Sequence, residues 1–306
     1  MHKGHNIYYL FLFIFIPIFG FAQQLPQFGQ YMFNTISINP AYAGTREAMV
    51  FTLLSRNQWV GVKGAPITQT GSVDSPIPGS NISLGLSFIN DQLGYENTTY
   101  VYADVAYEII LNEFYRFSFG IKGGMSRYGL DSELLMDPSV IGDQYLERIF
   151  NEWKPNIGLG FYLRSDELFI SLSSPRLVSY ANNTEIAYES IERASYYLAG
   201  GYLLEFNPQL KFKPTALLKY TNGSPLSLDL TANFLISETL WLGLAHRFND
   251  AMGGYFSIRA SEALSFGYSY EFNTSNLRPY SSGSHEIFLS YQIKLPKPRC
   301  NCPNVF

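Results

Sequence analysis

Few side chains in this sequence have the types and spacing that catalysis or metal binding requires. Beyond residue 22 there are two histidines, His246 and His285, and two cysteines, Cys300 and Cys302. The chain has no Gly-x-Ser-x-Gly, His-Glu-x-x-His or phosphate-loop motif. A disulfide across one intervening residue is strained, and a Cys-x-Cys pair without other ligands is a weak metal signal. A thiol pairing with another chain is the remaining interpretation of the cysteines.

The longest predicted connection holds the carboxylates Asp131, Glu133, Asp137 and Asp143. Calcium binding is one interpretation of this cluster, but the spacing is not that of a regular Ca²⁺ loop, so a solvated loop is favoured. No serine and histidine are spaced as an oriented nucleophile and base. The sequence therefore predicts a protein that is not an enzyme, with no catalytic, cofactor-binding or metal-binding residues.

The elements of the chain follow a two-residue rhythm. From Tyr115 to Lys122 every odd position is apolar and every even position is polar, charged or Gly. Successive side chains of a strand point to opposite faces, so each such run is a strand with one apolar and one polar face. The runs predict fourteen strands, at about 48–58, 67–75, 82–90, 98–109, 114–125, 153–164, 167–174, 194–206, 209–220, 225–236, 239–249, 253–260, 264–272 and 285–295.

The predicted connections alternate in length. Those after the even-numbered strands up to strand 12 are short, whereas three of the others, 126–152, 175–193 and 273–284, are long. Short turns at one end and longer loops at the other are typical of outer-membrane barrels. An immunoglobulin-like sandwich gives no reason for this alternation. We therefore predict an all-β fold, a transmembrane, antiparallel, up-and-down outer-membrane β-barrel of about fourteen strands.

Composition agrees with this interpretation. Only 15% of the residues are charged, against roughly a quarter in soluble domains, and 16% are aromatic. Lys3, an apolar run over 7–19 and small residues before Gln23 predict a cleaved secretory signal peptide, and hence export to the outer membrane of a Gram-negative cell. The formal net charge of −4 argues against a nucleic-acid partner. The predicted barrel makes outer-membrane lipid the expected surroundings of its outer face.

Four segments are predicted: a signal peptide (1–22), an N-terminal periplasmic or plug segment (23–47), the barrel (48–295) and a periplasmic tail (296–306). The second segment is too apolar for a solvated tail, and we expect it at the periplasmic mouth or in the lumen. The tail, basic and rich in proline, contacts a periplasmic partner or is disordered.

Strand parity places a mildly basic set of charges in the lumen. Two interpretations follow: a pore that tolerates anions, or a lumen filled by paired charges and a folded segment. Fourteen strands give a bore between filled and open barrels, and we favour partial plugging. The inward set comprises Arg116, Lys122, Lys154, Arg164, Lys211, Lys213, Lys219, Arg247, Arg259 and Lys294, with Asp104, Glu108, Glu205, Asp229, Glu271 and Glu286.

Several ordered motifs carry a family resemblance. They are 30–34 (Gln-Tyr-Met-Phe-Asn), 39–44 (Asn-Pro-Ala-Tyr-Ala-Gly), 56–61 (Arg-Asn-Gln-Trp-Val-Gly), 64–66 with Thr68 and Gln69, then 90–91 with Gly94, 285–287 with Tyr291, and Cys302-Pro303. The chain resembles the PorP/SprF family of type IX secretion and gliding-motility outer-membrane proteins over nearly all of its length after residue 22. The resemblance implies an accessory or structural barrel that binds a secreted surface adhesin or other type IX cargo, or anchors the secretion machinery in the periplasm.

The candidate partner-binding residues come from these motifs: Tyr31, Asn39, Pro40, Tyr42, Gly44, Arg56, Gln58, Trp59 and Gly61. For 39–44 the alternatives are a turn that only shapes the start of the barrel and a periplasmic docking surface. For Trp59 they are an aromatic-belt anchor and a contact for a secreted partner. The alternative function for the whole chain is a diffusion or hydrophobic-solute channel.

Overall fold

The computed structural model describes residue 29 and residues 31–131, 153–182 and 190–296. Its strands are β1 (Ala48–Asn57), β2 (Ile67–Pro76), β3 (Ile82–Leu93), β4 (Glu96–Ile110), β5 (Arg116–Leu130), β6 (Trp153–Arg164), β7 (Leu168–Ser174), β8 (Tyr180–Asn182), β9 (Ser190–Glu192), β10 (Ser195–Tyr202), β11 (Leu204–Asn207), β12 (Leu210–Thr221), β13 (Ser227–Ile236), β14 (Leu240–Arg247), β15 (Ala251–Arg259), β16 (Leu264–Asn273) and β17 (Ser284–Lys294).

The strands form a closed antiparallel barrel. Each wall strand pairs with its sequence neighbours, β17 pairs with β1, and β10 pairs with both β7 and β12. β11 continues β10 beyond Leu203, so the wall has fourteen strands, and the predicted fold is confirmed. β8 and β9 form a separate hairpin within the predicted 175–193 connection. No helix in the described ranges is long and apolar enough to cross a membrane.

The two ends of the barrel differ. We call the end with the short connections, such as residues 165–167 between β6 and β7, the turn end, and the opposite end the loop end. In outer-membrane barrels the short turns face the periplasm. One outward connection is much shorter than the predicted strands imply, because β3 runs to Leu93 and β4 begins at Glu96, which leaves only Gly94 and Tyr95 between them.

The wall separates an apolar outside from a polar inside. Along β1, Phe51 and Leu53 are exposed on the outer face, whereas Thr52 and Arg56 are buried on the inner face. The largest fully buried side chains include Arg56, Lys122 and Glu286. A soluble protein shows the reverse arrangement, so the outer face is suited to lipid.

Residues 31–47, which we call the luminal segment, lie inside the barrel. They form three 3-10 turns, Tyr31–Phe33, Thr35–Ser37 and Pro40–Tyr42. Tyr31 and Ile38 pack with Leu217 of the wall, and Ile36 packs with Ala106. The predicted signal peptide, Cys300 and Cys302 lie outside the described residues, as does the predicted tail except Pro296.

Candidate functional site

Asn39 fixes the middle of the luminal segment to the wall. Its side chain has no exposed surface. Its Oδ1 accepts a hydrogen bond from the Ala41 backbone N–H at 2.9 Å and so caps the turn at Pro40. Its Nδ2 donates to the Phe161 carbonyl at 3.0 Å and to Ser171 Oγ at 2.7 Å. A buried amide with all of these partners is a strong positional constraint, because losing them leaves polar atoms unsatisfied.

Glycines in the wall make room for this contact. A Cβ at Gly120 would collide with the backbone of Ala41, and one at Gly160 would collide with the Asn39 side chain. Both glycines are buried and face inward, Gly120 on β5 and Gly160 on β6. Glycine in a strand interior often marks a close approach by another backbone, and here that backbone is the luminal segment.

Aromatic and sulfur contacts hold the first turn of the segment. The Tyr31 hydroxyl lies 2.6 Å from Thr215 Oγ1. The Phe33 ring stacks on Phe288 with centroids 4.4 Å apart and meets Tyr255 edge-on at 6.0 Å. Asn233 Nδ2 lies 3.3 Å from the Met32 sulfur. The segment is therefore packed on its own wall and does not present these rings to a partner.

A cluster of buried charged groups lies toward the loop end of the lumen. Arg56 is 2% exposed, and its guanidinium contacts Glu271 at 2.5 Å and Glu286 at 3.2 Å. The Gly29 N–H donates to Glu286 at 3.0 Å, which ties the chain just before the luminal segment to this cluster. Arg247 adds a contact to Glu271 at 3.9 Å.

Further ion pairs line the rest of the lumen. Lys122 pairs with Asp104 at 2.7 Å, and its Nζ also donates to the Ile36 carbonyl at 3.2 Å. Arg164 pairs with Glu108 at 2.8 Å near the turn end. Of the two interpretations of the inward charges, these contacts match a lumen filled by paired charges and a folded segment.

The turn-end mouth is formed by the last part of the luminal segment. The Tyr42 ring meets Tyr162 edge-on at 5.5 Å. Gly44 adopts φ +72°, which favours glycine, and its N–H donates to Asp74 at 3.0 Å. Arg46 pairs with the same carboxylate at 3.0 Å. Of the 39–44 motif, Asn39, Pro40 and Gly44 are buried, and the partly exposed Tyr42 borders the mouth.

Trp59 lies in the loop between β1 and β2, which is clamped to its neighbours. Val60 N–H donates to the Gly283 carbonyl at 2.8 Å, and Ser282 N–H donates to the Val60 carbonyl at 2.7 Å. Gly94 N–H donates to the Gly64 carbonyl at 2.8 Å. Trp59 has φ +46°, uncommon for a bulky residue, so the surrounding hydrogen bonds hold a strained backbone here.

A surface cavity of about 350 Å³ adjoins this loop. Its lining includes Gln58, Val60, Val62, Ile67 and Gln92. Gly61 is exposed and has φ +99°. We call Gln58, Trp59, Gly61 and this cavity the loop-end rim.

The nine candidate residues therefore do not form one site. The lumen contains Tyr31, Asn39, Pro40, Gly44 and Arg56, all buried; the turn-end mouth contains Tyr42; the loop-end rim contains Gln58, Trp59 and Gly61. Sequence reasoning missed the wall glycines Gly120 and Gly160, although glycine at inward positions of alternating strands is a readable signal.

The residues first considered for chemistry are dispersed. His285 Nδ1 lies 2.6 Å from the Tyr268 hydroxyl, and the His246 ring meets Phe248 edge-on at 4.7 Å. Of the acidic cluster, only Asp131 falls within the described ranges. Within the part of the chain that the structure describes, no three His, Cys, Asp or Glu side chains are grouped to hold a metal.

Fold and lumen together define an outer-membrane β-barrel whose interior contains a segment of its own chain. The chain belongs to the family of type IX secretion system membrane proteins PorP/SprF, whose family model matches residues 20–291. The family resemblance of the motifs is thereby confirmed. No curated protein matches the sequence.

Several solved structures are similar to this chain at low sequence identity. The CymD monoaromatic hydrocarbon channel is 12% identical, with 86% of this chain and 93% of that chain covered and a TM-score of 0.51. A TodX ΔS2S3 mutant, also a monoaromatic hydrocarbon channel, is 10% identical, with 84% and 93% covered and a TM-score of 0.50. The Ralstonia pickettii toluene transporter TbuX is 10% identical, with 84% and 92% covered and a TM-score of 0.48. At these identities the likeness to the two hydrocarbon channels is one of fold alone.

Proposed function

We propose that this protein is a closed, non-enzymatic scaffold of type IX secretion that binds a secreted surface protein at its loop-end rim. A second docking face, at the turn end, anchors the barrel to the periplasmic machinery. The single observation that carries the proposal is the filling of the lumen by the luminal segment, held at Asn39 and Tyr31 by buried hydrogen bonds. Because the luminal segment occupies the lumen, the surfaces left for binding partners are the two ends of the barrel.

The loop-end rim has the features of a preorganised binding surface. Backbone hydrogen bonds to the loop at Gly283 and the turn at Gly94 fix the Trp59 loop. Rigid surfaces bind with a smaller loss of conformational entropy. The cavity beside Gln58 combines amide groups with the apolar side chains of Val60 and Ile67, and aromatic anchors such as Trp59 commonly dominate binding energy.

The test is quantitative proteomics of the cell surface and medium. A strain lacking the gene is complemented with the native protein, with Trp59→Ala or with Trp153→Ala, the matched control. Trp153 is an outward-facing tryptophan of β6 on the same half of the barrel. We expect Trp59→Ala to deplete one large surface protein, and Trp153→Ala to behave as native at equal barrel abundance.

Two other outcomes separate the parts of the proposal. Loss of the whole secreted set in the deletion strain would favour the machinery-anchoring role over a dedicated partner. An unchanged profile in the deletion strain would refute the secretion role and leave a diffusion or hydrophobic-solute channel as the function to test.

A further inference from the structure

A second cavity, of about 320 Å³, lies at the turn end between the luminal segment and the wall. Tyr42 and Arg46 of the luminal segment are among its lining residues. The wall contributes the aromatic rings of Tyr162, Phe169 and Trp241. Residues of two turns, among them 165–167 and Glu238, also line it, so the cavity opens at the turn end. Its volume falls in the range of small-ligand sites.

Most charges around this cavity are already paired. The lining contains the basic residues Arg46, Arg164, Lys211 and Lys213 and the acidic residues Asp166, Glu167 and Glu238. Arg46 pairs with Asp74 at 3.0 Å and Arg164 with Glu108 at 2.8 Å. Lys211 pairs with Glu238 at 2.6 Å, and this contact holds the pKa of the Glu238 carboxyl below its usual range.

Lys213 is different. Among the described residues no carboxylate lies within 4.0 Å of its ammonium group, which sits 4.9 Å from the centroid of the Phe169 ring. The side chain faces inward on β12 and is half-buried. A cation removed from water without an anion is costly, and contact with one ring offsets only part of that cost. The arrangement leaves a positive charge directed into an aromatic-walled cavity.

We infer that the turn-end cavity binds a carboxylate attached to an aromatic or other apolar group, with Lys213 as the anion partner. The ammonium receives the carboxylate, and the rings of Tyr162, Phe169 and Trp241 surround the apolar part. A single negative charge is favoured over a phosphate dianion because Asp166, Glu167 and Glu238 border the cavity. Binding at this cavity does not depend on the proposed secretion role, since it can be measured on the purified barrel without any secretion partner.

Two kinds of periplasmic ligand combine a carboxylate with an aromatic group. One is a small aromatic acid, and the other is a peptide with a glutamate or aspartate beside an aromatic residue. Isothermal titration calorimetry on the full chain in detergent distinguishes them. The probes are 3-phenylpropionate, its uncharged amide, and a blocked peptide containing Phe-Glu, with Phe-Gln as its neutral counterpart. The neutral probes test the charge requirement on the unaltered protein, so the result does not depend on a variant folding.

We expect saturable binding of one or both acids, with the neutral counterparts weaker by about tenfold or more, because they cannot form a charge-assisted hydrogen bond with the Lys213 ammonium group. Lys213→Met should lose the same factor. Lys294→Met, which removes a charge from an exposed turn-end pair with Glu262, should bind as native. Binding of the small acid alone or of the peptide alone supports the site and identifies the source. Absent binding, or equal affinity for neutral and charged probes, would overturn the inference.

Discussion

Removing the charge of Arg56 tests whether the lumen is packed and dry. Arg56→Met keeps most of the side-chain volume but leaves Glu271 and Glu286 without their nearest cation. Breaking a buried ion pair by deleting one partner typically costs about 3–5 kcal/mol. Glu286 keeps the Gly29 N–H, and Glu271 keeps Arg247 at 3.9 Å. We therefore expect a loss near the lower limit, about 3 kcal/mol.

The measurement is urea-dependent unfolding from lipid vesicles, followed by tryptophan fluorescence. The control is Lys294→Met, which breaks a pair whose side chains are 71% and 86% exposed and should cost less than about 1 kcal/mol. Adding Glu271→Gln and Glu286→Gln to Arg56→Met should recover part of the loss, because the stranded charges are removed. A loss within 1 kcal/mol of the control would mean that water solvates these carboxylates, and the account of a packed lumen would be wrong.

Three further predictions concern the wall and the segment it encloses. Asn39→Leu should lower the unfolding free energy by about 1–3 kcal/mol in the same assay, because Ser171 and the Phe161 carbonyl lose their donor; an unchanged value would mean that water replaces the amide. Leu53→Lys, at an outward position near the middle of β1, should cost about 2–4 kcal/mol in vesicles, and no cost would argue against lipid contact there. Gly120→Val should displace the luminal segment and raise ion conductance in planar bilayers, whereas Gly123→Val, on the same strand with open space around it, should not; equal conductance of the two variants would contradict the seating of Ala41 at Gly120.

The sequence predicted the wall well because its information is local. The alternation of apolar and polar residues along a strand such as β5 reflects only the difference between lipid and lumen. The sequence therefore predicts both where the strand lies and which of its side chains face outward. Strand ends were less accurate: Leu93 and Glu96 extend β3 and β4 to within two residues of each other, since paired strands continue wherever their partner continues. The break at Leu203 between β10 and β11 was not predicted, because the alternating pattern continues through it.

The candidate site was predicted only in part because its contacts are non-local. The polar character of Arg56 and Asn39 was visible, but their partners Glu286 and Ser171 are separated from them by 230 and 132 positions. Because both residues lie in the same set of motifs as Trp59, all three were predicted to contact a partner. Burial separates them, because Arg56 and Asn39 already bind within the chain.

The most direct test of the central claim is the conductance of the unaltered, full-length protein in planar lipid bilayers. We expect silence, because the luminal segment is fixed to the wall at Tyr31 and Asn39 and buried ion pairs lie toward the loop end. Reproducible open-pore steps from properly folded protein would contradict it and would favour the channel function.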